Sequence, residues 1–200
     1  ASLYDEKHSF VSNYGNELIE LVNAKQGEKV LDLGCGTGDL TNILAGLNMD
    51  VVGIDHSENM IQQAQSKYPD IPFYIADATR LTYQNEFDCV FSNAKLHWIK
   101  TPEAVLQGIY QALKPGGRMI VEFGGAGNVQ IITDELIKQI KEASITFTDE
   151  HFPWYFPTIG QYSSLLESIG FHVSYALHFN RPTKLSGDNG LRNWLDMISS

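Results

Sequence analysis

Three glycines stand at alternate positions, Gly34, Gly36 and Gly38, directly after an apolar run. Glycine has no Cβ, so a glycine-rich turn between a strand and a helix allows a ligand to approach the main chain closely. The spacing differs from G-x-G-x-x-G, the pattern that aims a helix N-terminus at a pyrophosphate. Asp32 lies two residues before the first glycine, where its charge would repel a phosphate and attract an amine. The loop is therefore predicted to bind a cationic group rather than a dinucleotide.

Polar side chains also end three later apolar runs, and their types indicate what each could bind. Asp55 ends the second run, where a carboxylate can accept hydrogen bonds from both hydroxyls of a ribose. Asp77 ends the third run, followed by Ala78, and its carboxylate could accept from an exocyclic amine or cap the next helical turn. Asn93 follows the fourth run. Together with Asp32, these residues outline a ligand with an amine, a ribose and an adenine but no phosphate.

The apolar runs alternate with segments of helical periodicity, which predicts the elements that position these residues. The predicted strands are residues 30–33, 51–55, 73–77, 87–92 and 119–123. Between them lie helical patterns, one with Ser57 as its N-cap and one opened by Thr101 and Pro102. This alternation predicts an α/β fold, a Rossmann-like, doubly wound and mostly parallel sheet with helices on both faces. Ligands of such sheets bind beyond the carboxyl ends of the strands, where the polar residues described above stand.

The rest of the chain predicts a covering segment within a single domain of residues 1–200. An amphipathic helix reaches about residue 24, and further helices are predicted at 131–143 and 159–169. The segment HFPWYFPT, residues 151–158, is too rich in proline and aromatic residues for regular structure. Residues 171–179 alternate as a strand with one apolar face, which would form an uncovered sheet edge. Residues 128–170 are therefore predicted to fold over the carboxyl edge of the sheet as a lid.

Composition argues against several classes of partner. The 200 residues suffice for one domain with a sizeable core, and 43% hydrophobic with 19% charged residues is globular composition. A net charge of −10 argues against nucleic acid, because proteins that bind it neutralise phosphates with Lys and Arg. No apolar segment approaches the roughly 20 residues of a membrane span, and the N-terminus lacks a signal-peptide core. We expect a cytoplasmic protein with no membrane partner, either a monomer or a weak homodimer.

Histidine and cysteine spacing argues against a metal site. The six histidines show no H-E-x-x-H or similar ligand pattern. The two cysteines form no C-x-x-C, so no disulfide framework is expected either.

Five motifs stand in an order that resembles class I S-adenosylmethionine-dependent methyltransferases: VLDLGCGTG, GIDHSENM, IADAT, FDCVFSNAKLHW and LKPGGRMIVEF. The resemblance spans roughly residues 4–195. Within that family, YDEKHSFVSNYG, NAKLHW and FPTIGQYSSLLESIGF are most similar to the small-molecule enzymes of the trans-aconitate methyltransferase group. Members normally finish with a strand inserted antiparallel near the sheet edge. The sequence given stops at Ser200 before such a strand, so we expect this strand to be missing from it.

The resemblance implies that S-adenosylmethionine is the cofactor and assigns its contacts. The glycine loop would hold the methionine part, Asp55 the ribose, and Asp77 with Ala78 the adenine. Met60 would pack on the base, and the N-terminal helix would lie over the cofactor, although apolar residues at helical spacing are also typical of plain core. The implied cofactor-binding residues are Phe10, Tyr14, Asp32, Gly34, Cys35, Gly36, Gly38, Asp55, His56, Met60, Asp77, Ala78 and Asn93.

The methyl acceptor is predicted to lie near His97, just past the fourth strand. A carboxylate acceptor is already ionised and needs no base, whereas a hydroxyl acceptor needs one, and His97 could act as that base or only orient the substrate. Trp98, Trp154 and Tyr155 could line the acceptor pocket or simply pack a lid. Arg181 could pair with an acidic substrate or lie at the surface.

These observations predict methyl transfer to a small-molecule acceptor, most simply to a carboxylate or hydroxyl oxygen. Nucleic-acid amino-methyltransferases commonly carry Asn/Asp-Pro-Pro-aromatic after the fourth strand, and this chain has SNAK there. A non-catalytic S-adenosylmethionine-binding module is the alternative. A nicotinamide-dependent dehydrogenase is a further rival, which the glycine spacing disfavours.

Overall fold

Five parallel strands form the sheet at the centre of the computed structural model, which describes residues 18–182, 187, 189–192 and 195. The strands are β1 (Lys29–Leu33), β2 (Asp50–Asp55), β3 (Phe73–Ile75), β4 (Phe87–Asn93) and β5 (Leu113–Glu122). Their order is β3-β2-β1-β4-β5, and every neighbouring pair is parallel. The chain therefore adds β2 and β3 on one side of β1 and then β4 and β5 on its other side. The predicted doubly wound sheet is confirmed, with its reversal point between β1 and β4.

Helices cover both faces of this sheet. They are α1 (Asp39–Gly46), α2 (Glu58–Lys67), α3 (Pro102–Ala112), α4 (Gln130–Glu142) and α5 (Ile159–Ile169). Short 3₁₀ turns occupy Ala78–Arg80, Leu96–Trp98 and Asp149–His151, and residues 18–22 are helical. The predicted cap of α2 is confirmed, since the Ser57 hydroxyl accepts a hydrogen bond from the Met60 amide. Phe10 and Tyr14 lie outside the described residues.

Alternate residues of the strands are buried on opposite faces. Leu31 and Leu33 join a core with α3 and α5, whereas Val30 joins a second core with residues 18–22 and Leu44 of α1. A sheet buried on both faces requires strands that are apolar nearly throughout, which is what the sequence shows. Helix α5 belongs to this layer, because Tyr162 and Leu166 are buried beside α3.

Two strand boundaries differ from the prediction by two residues or more. β3 ends at Ile75 rather than residue 77, because the Asp77 side chain caps the 3₁₀ turn that follows. β5 begins at Leu113, before the predicted residue 119, because Leu113 at the end of α3 is extended and pairs with Phe87. The register shifts before the next pair, Cys89 with Arg118, so residues 114–117 form a bulge.

The prediction of a strand at residues 171–179 is wrong. No strand is assigned there, because none of the described strands supplies a hydrogen-bonding ladder to it. Phe171 and Val173 still pack on the core that contains α3 and α5. Tyr175, Leu177 and Phe179 are exposed, so alternation alone overestimated the order of this segment.

Candidate functional site

The glycine loop turns sharply at the carboxyl end of β1, and the end of β2 holds it. The Gly34 and Cys35 amides both donate to the Ile54 carbonyl, at 2.8 and 3.0 Å. Gly34 has φ +81°, and a Cβ there would clash with the side chain of Lys95. Gly36 has φ +56° and open space where a Cβ would stand. The loop therefore needs glycine for its conformation and presents bare main chain on its open side.

Asp55 links the loop to the end of β2. One carboxylate oxygen accepts from the Gly36 amide at 3.2 Å, and the other accepts from the Ser57 amide at 2.9 Å. Asp55 is 8% exposed, so these two bonds hold a nearly buried carboxylate in a defined orientation. A carboxylate has about four acceptor positions, so capacity remains for the hydroxyls of a ligand.

Asp32 lies beneath the loop rather than on its surface. It is 2% exposed, and its carboxylate accepts a 2.6 Å hydrogen bond from the Thr41 hydroxyl on α1. Burial raises the pKa of Asp32 to about 7, the Thr41 bond opposes the rise, and the nearby charge of Asp55 adds to it. Its direct contact with an amine remains a prediction.

Asp77 performs the capping role that the sequence left open. Its carboxylate accepts from the amide and the hydroxyl of Thr79, at 2.9 and 2.8 Å. These bonds lower the pKa of Asp77, and the second carboxylate oxygen lies 3.8 Å from Arg80. Ala78 is buried directly after it. An additional contact with adenine remains a prediction.

The other predicted cofactor residues lie around the same edge. His56 is exposed beside Asp55, and Met60 is half-buried on the first turn of α2. Asn93 is the last residue of β4, adjacent to β1 at the reversal point. Cys35 is half-buried, and burial holds the pKa of its thiol above the usual range, so the thiol is neutral.

His97 stands on the 3₁₀ turn after β4 and is held by the loop after β5. Its Nδ1 accepts from the Gly124 amide at 3.3 Å, and its carbonyl accepts from the Tyr155 amide at 2.8 Å. The ring lies between Trp98 and Phe156, with centroids 5.6 and 5.8 Å away. Burial, with a smaller effect from the charge of Lys95, lowers the pKa of His97 to about 4. The imidazole is therefore neutral near pH 7.

An aromatic cluster extends from His97 to a cavity of about 480 Å³. The Trp154 ring packs on Trp98 and stacks on Phe156, both with centroids at 5.6 Å. The cavity lies between α4 and the HFPWYFPT segment and is lined by Ala126, Gly127, Asn128, Gln130, Thr133, Ile137, Phe147, Phe152, Trp154, Tyr155 and Phe156. The predicted residues Trp154 and Tyr155 thus do line a cavity, and Trp98 supports it.

Two features of this region were not assigned from the sequence. The loop that follows β5 contributes the Gly124 amide and cavity residues, and its only sequence signal was the glycine run 124–127. Lys95 lies against the glycine loop, and only its position after β4 could have indicated this.

Arg181 has an internal partner at the carboxyl end of β5. Its guanidinium donates to the Glu122 carboxylate at 2.7 Å and lies 4.9 Å from the centre of the Phe179 ring. Both charged side chains are about one-fifth exposed, at 21% and 23%. Arg181 therefore reaches the functional edge of the sheet, and its predicted contact with a substrate would compete with Glu122.

Within the described part of the chain, no cluster of three or more His, Cys, Asp or Glu could hold a metal ion. Over the same residues, no helix combines the length and hydrophobicity needed to cross a membrane.

A family model described as a methyltransferase domain matches residues 24–156. An uncharacterised methyltransferase of Schizosaccharomyces pombe is 35% identical over 98% of this chain and 78% of its own length. A trans-aconitate 2-methyltransferase of Variovorax paradoxus is 33% identical over 53% of this chain and 42% of its own length. The structure of Haemonchus contortus phosphoethanolamine N-methyltransferase 2 in complex with S-adenosyl-L-methionine superposes with a TM-score of 0.65. It is 25% identical and covers 80% of this chain and 36% of that one.

We expect Asp32→Asn to flatten the pH dependence of folding. A carboxyl group in an unfolded chain titrates near pH 4, whereas burial raises the pKa of Asp32 to about 7. Between these values the folded state retains a proton that the unfolded chain releases, so stability falls as pH rises through the window. The asparagine variant should lack this loss, which is on the order of 1–4 kcal/mol. Urea unfolding of the ligand-free protein at pH values between about 4 and 8 measures it.

Asp50→Asn is the matched control, since Asp50 is an exposed aspartate at the start of β2, at the end of the sheet away from the glycine loop. This variant should show the same fall in unfolding free energy with rising pH as the wild type. If the unfolding free energy of Asp32→Asn fell with pH as steeply as that of the wild type, another group would be responsible for the pH dependence.

Proposed function

Since the chain belongs to the methyltransferase domain family and uses S-adenosylmethionine, we propose that it methylates a small molecule on a carboxylate or hydroxyl oxygen. The observation that carries this proposal is the aromatic-lined cavity of about 480 Å³, whose lining residue Phe156 packs against the His97 ring. Its volume fits a small ligand rather than a macromolecular surface. The net charge of −10 also disfavours a nucleic-acid acceptor.

The residues at the carboxyl edge fit the proposed cofactor. The bare main chain at Gly36 offers space for the methionine part, and the remaining acceptor positions of Asp55 suit the ribose hydroxyls. Asp77 and Ala78, one strand further along the edge, would contact the adenine, with Met60 packing on its face. Asn93, at the end of β4, and His56, directly after β2, are the other proposed cofactor contacts at this edge. Asp32, bonded to Thr41 beneath the loop, would attract the ammonium group in its ionised form.

The protein's own contribution to the reaction is alignment. S-adenosylmethionine supplies a methyl group on a positively charged sulfur, and S-adenosylhomocysteine is the product. In an in-line displacement, holding the acceptor oxygen opposite the sulfur provides most of the acceleration. The aromatic side chains that line the cavity would pack on the body of the acceptor. His97, neutral and held by Gly124, contributes a hydrogen-bonding group beside it.

We also propose that residues 128–158 act as a lid over this cavity. Several apolar side chains of the segment are exposed, with Ile131 at 87%, Leu136 at 52% and Ile145 at 60%. Its contacts with the segment between β4 and α3 include the hydrogen bond from the Tyr155 amide to the His97 carbonyl and that from the Lys100 ammonium to the Glu150 carbonyl. The final part of the predicted lid, α5, packs in the core beside α3, so we restrict the proposal to the residues before it.

The proposed activity is tested by incubating the protein with S-adenosylmethionine and a panel of small carboxylic acids, phenols and amines. We expect S-adenosylhomocysteine, measured by mass spectrometry, to accumulate only with particular acids or phenols. Cofactor binding without turnover across the panel would favour a non-catalytic binding module. Tight NADH binding with none for S-adenosylmethionine would favour a dehydrogenase.

Asp55→Ala should weaken S-adenosylhomocysteine binding by about 1.5–3 kcal/mol, because the ribose loses charged hydrogen bonds and the Gly36 amide loses its acceptor. Isothermal titration calorimetry measures the change. Asp50→Ala, on the same strand but at its exposed far end, should bind as the wild type does. Equal affinity in the two variants would remove Asp55 from the site.

Limited proteolysis tests the lid. We expect the first cuts within residues 144–158, and protection when S-adenosylhomocysteine and an acceptor are both present. If that segment resists cleavage as well as the sheet does without ligand, the aromatic residues are static core and the lid proposal is wrong.

A further inference from the structure

Lys95 places a cation between the glycine loop and His97, the residue beside which we propose that the methyl acceptor binds. It follows β4 by two residues, and its aliphatic stem lies against Gly34. Its side chain is half-buried, and among the described residues no acidic side chain forms an ion pair with it. Its charge is close enough to Cys35 and His97 to affect their titration. A half-buried ammonium without a carboxylate beside it is well suited to an anionic ligand.

The hydrogen bond from Gly124 determines which nitrogen of His97 carries the proton. A backbone amide can only donate, so Nδ1 is the acceptor of this bond. A neutral imidazole has one N–H, and the network therefore assigns it to Nε2. Nε2 is the ring nitrogen that remains for a ligand, and it is a donor. To act as a base, His97 would have to change tautomer and lose its bond to Gly124.

We propose that Lys95 and the Nε2–H of His97 together bind a carboxylate of the methyl acceptor, one oxygen of which attacks the methyl group. The proposal rests on the proposed function and narrows it to acids. The adjacent cavity adds a requirement for an apolar or aromatic body, since Phe147, Phe152 and Phe156 line it.

The charges of such a reaction balance without a base. The carboxylate oxygen forms a bond to the methyl carbon, the carbon–sulfur bond breaks, and its electron pair remains on sulfur. An anion and a sulfonium cation become a neutral methyl ester and a neutral thioether, and no proton moves. The ester no longer attracts Lys95, which favours release of the product.

The test compares Lys95→Met, His97→Gln and His97→Ala, with Lys25→Met as the control. Lys25 is exposed before β1, at the opposite end of the sheet. The probes are aromatic monocarboxylates such as benzoate, phenylacetate and cinnamate, each with its primary amide and alcohol. For each variant, the KM and kcat of S-adenosylhomocysteine formation are measured. Calorimetry gives the affinity for S-adenosylhomocysteine alone and for the acid in its presence.

We expect Lys95→Met to raise the KM and the dissociation constant of the acid about 10- to 100-fold. Its affinity for S-adenosylhomocysteine should stay within about twofold of wild type, which also shows that it folds. Glutamine carries an amide N–H near the position of Nε2, so His97→Gln should retain most activity, whereas His97→Ala should lose about tenfold or more. At saturating S-adenosylmethionine, His97→Gln should leave the shape of the pH profile of kcat/KM between about pH 6 and 9 unchanged, since the reaction needs no base.

Three results would overturn the proposal while leaving methyltransferase activity intact. One is turnover of phenols or amines but of no carboxylic acid. Another is weaker cofactor binding in Lys95→Met with an unchanged KM for the acid, which would place the cofactor's own carboxylate on Lys95. In the last, His97→Gln is as inactive as His97→Ala, and the wild-type rate rises with pH as a single group ionises, which would make His97 a base. Absence of turnover with every class of acceptor would instead reject the proposed function.

Discussion

The architecture of the site depends on the end of β2 holding the main chain of the glycine loop. The Ile54 carbonyl accepts from two successive amides of the loop, and the Asp55 carboxylate accepts from a third, that of Gly36. These bonds fix a left-handed turn that side chains with a Cβ rarely adopt. They are possible because β1 and β2 pair in register, with Leu33 opposite Ile54. The conformation of the glycine loop is thus a direct consequence of strand pairing in the middle of the sheet.

The reversal of strand order brings the turn that carries Lys95 and His97 to the same place. β4 pairs with the other edge of β1, and the Ser92 hydroxyl donates to the Leu33 carbonyl at 2.7 Å. The turn after β4 therefore leaves the sheet directly beside the glycine loop, and Lys95 crosses against Gly34. A cofactor on the loop and an acceptor near His97 would meet at this boundary, which is the geometry that methyl transfer requires.

Burial controls the charge of the groups around this boundary. It raises the pKa of Asp32 and of the Cys35 thiol, and it lowers the pKa of His97. Each shift favours the uncharged form, because the protein interior solvates charge poorly. Although the chain has a net charge of −10, the charge of Lys95 acts on both Cys35 and His97 at this boundary.

The sequence by itself determined the order of the elements, the cap of α2 and the position of the glycine loop. These signals are local, since apolar periodicity, a capping serine and glycine spacing act within a few residues. It did not determine the bulged start of β5, the unpaired segment 171–179, the tautomer of His97 or the place of Lys95. Those depend on partners far apart in the chain, such as Gly124 on His97 and Phe87 beside Leu113. A hydrogen bond or a ladder exists only when both partners are brought together, and packing of the whole sheet decides that.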